Sequence, residues 1–377
     1  MESLTELEQV ALAAPINLAD GHPRHMPTDG QRRIVDRLTE LFDAAESEAF
    51  EQLEQRAQRA FLDSLGQRSA PLADGRVFSL YSSSVATTVL ATCLLRREAR
   101  VALIHPTFDN IHDLLSGAVV LEPVAEEALA EADLGGLGRG AATCLFVTTP
   151  NNPTGWLLDR ERLERLASAC AAAGHLLCLD TSFRGFDRRA QFDSYDVLER
   201  TGVDYVVIED TGKLWPVSEL KLAFVAVSAG LRDEFGHAVR DVLLSVSPFV
   251  LRVVEELAAD AARGGLERLH ALIARNRAAT LAAVDDIEGI DVPDPDARVS
   301  VCRLRFESAA EADRVRRELA GAGVHVLPGQ QFHWADPAQG GRDLRLAVAR
   351  SPHVMDEALR RLRHVAWRRS PVGESTR

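Results

Sequence analysis

Between residues 76 and 227, short apolar runs alternate with helical segments: RVFSLY, RVALIH, AVVLEPV, CLFVTT, HLLCLD, DYVVIED and LAFVAV. Strand and helix in alternation predict an α/β domain built on a mostly parallel sheet. The segment DRERLERLASACAAAG reads as one of the crossover helices, with Gly174 as its C-terminal stop. In such sheets ligands bind in loops at the C-terminal ends of the strands. Residues 29–65, with apolar positions at helical spacing, read as helix.

From about residue 246 the pattern changes. A long helical region through VVEELAADAARGGLERLHALIARNRAATLAAVDDI precedes RVSVCRLRFE, a helix in AAEADRVRRELAGAG, the run VHVLP, the strand DLRLAVA and a last helix in HVMDEALRRLRHVAW. This predicts a smaller α+β domain joined by a long helix. The expected division is an N-terminal arm over residues 1–30, a large domain over 31–245, and a linking helix with a small C-terminal domain over 246–377.

The chain has 377 residues, 46% hydrophobic, enough for a sizeable core. The longest apolar runs are too short to span a bilayer, and MESLTELEQVALAAP is too acidic and polar for a standard secretory signal. Five cysteines, an odd count without a CxxC pair, read as reduced core thiols and point to the cytoplasm. A net charge of −13 argues against a nucleic-acid or anionic-membrane partner. No metal site is expected.

The strongest local signal is TTPNNPTG, Thr148 to Gly155, directly after the run CLFVTT. Alone, PNNP reads as a rigid turn. Its order with other residues adds meaning: HLLCLD ends in Asp180, and DYVVIED is followed by Lys213. A polar turn, an acid at a strand end and a lysine after a later strand meet at one edge of the sheet. In this the chain resembles the fold-type I pyridoxal-phosphate (PLP) enzymes of the aminotransferase class I/II group. The resemblance covers nearly the whole sequence. It implies an aspartate aminotransferase-like fold with a seven-stranded sheet, PLP as cofactor, and a homodimer with sites at the interface.

It also implies roles. Lys213 would hold PLP as a Schiff base and then act as general base, which requires an amine with a lowered pKa. Asp180 would keep the pyridine nitrogen protonated, so that the ring is an electron sink. Asn152 would donate to the phenolic oxygen and Phe108 would stack on the ring. Ser82, Ser83 and Ser84, which lead into a helix, suit a phosphate. Arg345 matches the arginine that takes a substrate α-carboxylate with its fork. Without the resemblance the same residues have plainer readings. Asp180 and Arg345 could be surface ion-pair residues, Phe108 core, and the serines an ordinary N-cap.

Three positions depart from the superfamily pattern. Phe183 stands where a tyrosine would donate to the phenolic oxygen. Lys221 stands where an arginine would meet the phosphate; it supplies charge without a fork. Asp210 stands where a serine would bind phosphate. A carboxylate repels that dianion, so Asp210 is expected to face something positive.

NLADGH (17–22), SSSV, HPTFDN, TTPNNPTG, DTSFRGFD, VVIEDTGKLWP, SPF and QFHWADP resemble, more narrowly, the PLP- and O2-dependent L-arginine oxidases. These serve biosynthesis of enduracididine and related guanidino metabolites. The resemblance implies oxidation of L-arginine, with O2 as co-substrate and electron acceptor, to 2-oxo-arginine or its 4-hydroxy derivative. It places Thr5, Glu8 and Asp210 on the substrate guanidinium, a planar cation with five N–H donors, and Asp20 among the substrate ligands. It makes His22 an acid/base for the later steps. Read without it, Glu8 is a solvated charge near a terminus and ADGH a turn. Two other readings compete: an aminotransferase for a basic amino acid, and a PLP-fold protein that has lost catalysis. The presence of Lys213, Asp180 and Asn152 speaks against the last.

Overall fold

The structure, a computed structural model, describes residues 2–132, 143–217 and 219–367. Its first elements are a short helix, α1 (Leu4–Ala11), and a two-residue strand, β1 (Ile16–Asn17). Ser3 caps α1 and Glu6 reaches back to the Ser3 amide, a reciprocal pair that starts the helix despite its shortness.

Residues 29–65 form three helices rather than one: α2 (Asp29–Val35), α3 (Leu38–Glu46) and α4 (Phe50–Ser64). The Ser47 hydroxyl donates to Ala44 O at 2.9 Å, and Ala49 is extended at φ −67°, ψ 123°. A short polar side chain that bonds its own backbone offers an exit from the helix, and periodicity does not register it.

The apolar runs become β2 (Val77–Leu80), β3 (Arg100–His105), β4 (Val120–Ala125), β5 (Cys144–Thr148), β6 (Leu176–Asp180), β7 (Tyr205–Asp210) and β8 (Ala223–Val227). They form a seven-stranded sheet in the order β2-β8-β7-β6-β5-β3-β4. β8 is antiparallel to both its neighbours, and the other pairs are parallel. β5 to β8 are buried along their whole length, as continuous apolar runs covered on both faces must be. β4, at the edge, is largely open and tolerates Pro123.

Between the strands lie α5 (Ser83–Arg96), α6 (Asp109–Ser116), α7 (Glu126–Ala130), α8 (Arg160–Ala173) and α9 (Ser194–Thr201). Helix α8 stops at Gly174, at φ +68°. After β8 come α10 (Arg232–Val242) and α11 (Pro248–Asp260). The long helical region then bends, because Arg263 and Gly264 leave helical geometry with Gly264 at φ +92°, before α12 (Glu267–Val284).

The smaller α+β part holds β9 (Ile290–Asp291), β10 (Val301–Phe306), β11 (Val324–His325), β12 (Leu327–Pro328) and β13 (Asp343–Ala347). It also holds α13 (Ala309–Gly321) and α14 (Pro352–Trp367). Four of its strands form an antiparallel sheet, β12-β13-β10-β9, and β11 pairs with β1. The amino-terminal segment is thus stitched into the carboxy-terminal part. All five cysteines are buried and free. Among the described residues no helix is long and apolar enough to cross a membrane.

Candidate active site

Three parallel strands deliver the motif residues to one edge. Thr148 pairs with Asp180 across β5 and β6, and Asp180 with Ile208 across β6 and β7. The turn after β5 is tied from below. The Asn151 amide donates to Pro106 O at 2.7 Å and to Glu126 Oε1 at 2.6 Å, and the Thr154 hydroxyl donates to the same oxygen at 2.6 Å. Burial pushes the Glu126 carboxyl up to about 7, against those two bonds. Gly155, at φ +74°, lies so close to Ala297 that a Cβ there would meet it at 2.5 Å. With Asn151 occupied below, Asn152 keeps a buried Oδ1 without a partner.

Asp180 is buried and accepts from the Ser182 amide at 2.9 Å and the Ser182 hydroxyl at 2.5 Å. Both bonds fall on Oδ1. Burial raises its carboxyl to about 6; the bonds from Ser182 lower it, nearby Asp210 raises it and Lys213 lowers it. A positive partner for Oδ2 would restore the ionised form. Phe183, where a phenol was expected from the superfamily, packs edge-on against Phe186 at 5.3 Å between ring centroids.

Lys213 follows β7 in a loop held by aromatic packing. Phe61 of α4 lies against Trp215 and Phe224, with centroids 6.1 and 5.5 Å away. Lys213 Nζ is 3.2 Å from His22 Nε2, across 191 residues of sequence. His22 Nδ1 is 2.6 Å from Asp20 Oδ1, and Asp20 also accepts from the His22 amide at 2.9 Å. A carboxylate only accepts, so Nδ1 carries the proton. In the neutral ring Nε2 then bears the lone pair and faces the lysine. Arg24 donates to Asp20 Oδ2 from Nε at 2.9 Å and Nη2 at 2.6 Å. Burial works against the Asp20 charge, but His22 and Arg24 outweigh it and hold the carboxyl far below its usual range. Asp20, expected among the substrate ligands, has its carboxylate engaged by these two residues.

Asp210 meets a helix end. Its Oδ1 accepts from the Gly212 amide at 2.6 Å and its Oδ2 from the Ser83 amide at 3.4 Å, at the positive N-terminus of α5. Ser82 caps that helix through Val85 N, and the Ser84 hydroxyl donates to Asn110 Oδ1 at 3.1 Å. Lys221 pairs with Glu219, and its stem lies against Gly212. The positive group expected at Asp210 is therefore, in this chain, main-chain N–H.

The arm docks through α1. Leu4 and Ala11 are fully buried in a small cluster with Ala19, Leu327 and Phe332, and Phe108 packs on it half-buried. The Leu4 amide donates to Asp109 Oδ2 at 2.7 Å. Burial lifts the Asp109 carboxyl to about 6 despite that bond. Thr5 is half-buried on the same helix. Glu8 Oε1 accepts from Arg345 Nη2 at 3.1 Å. Arg345 also donates to Ala19 O at 2.5 Å and lies over the Phe332 ring at 5.6 Å, while its Nε is buried without a partner. Glu8 thus faces an arginine side chain of its own chain, where sequence alone suggested solvent.

Sequence reasoning missed Glu126, Asp109, Arg24 and Phe332. Glu126 lies outside every quoted motif, and Asp109 and Phe332 lie inside HPTFDN and QFHWADP without a sign of their partners. Among the described residues no cluster of three or more His, Cys, Asp or Glu could hold a metal ion.

Comparison with known proteins identifies the fold and the family. A structure of MppP soaked with the product 2-ketoarginine is 45% identical, covering 93% of this chain and 99% of that one at a TM-score of 0.90. Aspartate aminotransferase from Thermus thermophilus with maleate, at 18% identity, 97% coverage of each chain and a TM-score of 0.77, shares the fold. Among curated proteins, histidinol-phosphate aminotransferase of Roseiflexus castenholzii is 29% identical over 53% of this chain and 50% of its own length. LL-diaminopimelate aminotransferase of Oleidesulfovibrio alaskensis is 24% identical over 68% and 66%. The chain spans about half to two-thirds of the length of these curated relatives. The family model for aminotransferase class I and II matches residues 16–362. Sequence, sheet topology and site geometry agree, and the chain belongs to the aminotransferase class I and II family.

Proposed function

We propose that this protein is a PLP-dependent, O2-consuming oxidase of L-arginine. It yields 2-oxo-arginine, 4-hydroxy-2-oxo-arginine or both, in biosynthesis of an arginine-derived natural product. The observation that carries the reading is the 45% identity, over nearly the full length of both chains, to a protein whose product is 2-ketoarginine.

The residues present fit the cofactor. Asp180 has a buried carboxyl with Oδ2 outside its bonds to Ser182, and Lys213 stands at the same strand edge. Bound there, PLP supplies an electron sink for the carbon that loses its proton. Asp180 holds the ring nitrogen positive. Lys213 takes the α-proton and His22 Nε2, at hydrogen-bond distance, exchanges protons with it. Ser82, Ser83, Ser84 and Lys221 would hold the phosphate, and Phe108 would pack against the ring. Arg345, with its unpartnered Nε, is assigned to the substrate carboxylate, and Thr5, Glu8 and Asp210 to the guanidinium, which would share Glu8 with Arg345 and Asp210 with the Gly212 and Ser83 amides. In the simplest balance arginine loses two electrons and O2 gains them as peroxide. Water supplies the keto oxygen and ammonia leaves.

The proposed organisation is an arm over residues 1–30, a PLP-binding domain over 31–245 and a linking helix with a small domain over 246–377. The assembly is a homodimer in the cytoplasm, without nucleic-acid or membrane partners. A second reading is an aminotransferase for a basic amino acid; the curated relatives are named as aminotransferases, which supports that reaction type without its substrate. The fate of the amino group separates the two. Free ammonium in a reaction with arginine and air supports the oxidase. Transfer of the nitrogen to an added 2-oxo acid, with no ammonium in its absence, supports the aminotransferase.

A further inference from the structure

His22 reaches Lys213 from a loop, and loops do not by themselves hold a ring to a few tenths of an ångström. The loop 17–24 is fixed by something else. Arg350 is 2% exposed, and among the described residues its guanidinium donates only to main-chain oxygens. Nε donates to Asn17 O at 2.6 Å, Nη1 to His22 O at 2.8 Å and Ala349 O at 3.2 Å, and Nη2 to Asp20 O. Three of those carbonyls belong to the loop, more than 320 residues away in sequence. A buried guanidinium is costly, and here its fork is directed at the shape of a loop rather than at a carboxylate.

The segment carrying Arg350 is itself anchored. Asn276 of α12, fully buried, donates to Val348 O at 2.7 Å and Arg350 O at 2.8 Å. The Arg24 amide donates to Ala349 O at 2.9 Å, and the Ala347 amide to Leu18 O at 2.7 Å. Arg24 then sends its exposed side chain back onto Asp20 Oδ2. One arginine takes the loop's main chain, the other its carboxylate, and His22 lies between.

We propose that Arg350 and Arg24 are positioning residues for proton exchange at Lys213, holding the Asp20–His22 pair so that Nε2 stays at the lysine. The inference rests on Lys213 as the cofactor-bearing lysine, but not on the identity of the electron acceptor. Besides the two arginines, the charged groups acting on Asp20, His22 and Lys213 are Glu219 beside His22 and Asp20, Arg345 toward Asp20, and Asp180 toward Lys213.

The test uses the PLP-loaded enzyme and reads the pH midpoint of the absorbance of lysine-bound PLP. His22→Gln, Arg350→Lys and Arg24→Gln each shift the midpoint in one direction, by about half a pH unit or more. Arg350→Lys adds no further shift on a His22→Gln background, as expected of a residue acting through another. Amide exchange of residues 17–24 quickens in Arg350→Lys. Arg277→Lys is the control, since Arg277 is also a buried arginine, bonded to Val301 O and Asp294 O but outside the loop. It leaves the midpoint in place. Should Arg350→Lys fail to fold, Arg24→Gln decides, because that side chain is exposed.

The proposal is overturned if both arginine variants keep the wild-type midpoint, or if the Arg350→Lys shift adds in full to that of His22→Gln. It is also overturned if Arg277→Lys moves the midpoint equally, or if wild type shows no lysine-bound band. Turnover that needs a 2-oxo acid instead of O2 would defeat the oxidase reading while leaving the predicted shifts as evidence for the clamp.

Discussion

Lys213 and His22, 3.2 Å apart, are the two residues to which the proposed function assigns the proton chemistry. Lys213→Ala is expected to abolish the borohydride-reducible, lysine-bound absorbance; an unchanged spectrum would mean another lysine bears the cofactor. His22→Ala is expected to keep arginine consumption while the hydroxylated product disappears, as read by mass. Equal product ratios in variant and wild type would remove His22 from the later steps. At this scale the sequence was informative wherever a residue belongs to a contiguous motif with an order, as Asn152, Asp180 and Lys213 do. It was silent on partners. Nothing in NLADGH shows that Asp20 would be shared between His22 and Arg24, or that Arg350 would span 333 residues to reach Asn17 O. Asp210 was recognised as out of place beside a phosphate, but its bond to the α5 N-terminus needed the fold.

At the scale of elements, β5 to β8 were legible because burial on both faces leaves an unbroken apolar run. Helix ends were less so, since the break at Ser47 depends on one hydroxyl and the bend at Gly264 on one backbone angle. The turn after β5 illustrates an element fixed from outside. Glu126, raised from 4.5 to about 7 by burial, carries a proton in the folded protein under conditions where the unfolded chain has lost it. Its stabilising effect is therefore fully present below pH 4.5 and is lost as pH rises through 7. Glu126→Gln removes this dependence. The stability difference between wild type and variant should fall by roughly 3 kcal/mol over that range in denaturant titrations; a constant difference would contradict it. The arm gives a second test. Leu4 is fully buried, so Leu4→Asp places a charge in an apolar contact and should undock α1. Losing one such leucine contact is expected to raise the KM for arginine about tenfold, with a smaller effect on kcat. An unchanged KM would mean the arm is not part of the substrate site.

For the whole molecule, the seven-stranded sheet supplies Asn152, Asp180, Asp210 and Lys213, and the carboxy-terminal part supplies Arg345 and Arg350. The amino-terminal segment joins them. β1 pairs with β11, Ala19 O accepts from Arg345, and His22 reaches Lys213. This joining sets His22, held by the buried Asp20, beside Lys213. The fold class was readable from the alternation of runs. The closure of the chain on itself was not, because a two-residue strand and a loop carry no periodicity. In the proposed reaction electrons from arginine go to O2. An oxygen electrode tests it directly, with PLP-loaded enzyme, L-arginine and no 2-oxo acid present. O2 uptake is expected to start on addition of arginine, to yield 2-oxo-arginine or its 4-hydroxy form by mass, and to be absent in Lys213→Ala. Turnover only when a 2-oxo acid is supplied, with no uptake of O2, would contradict it.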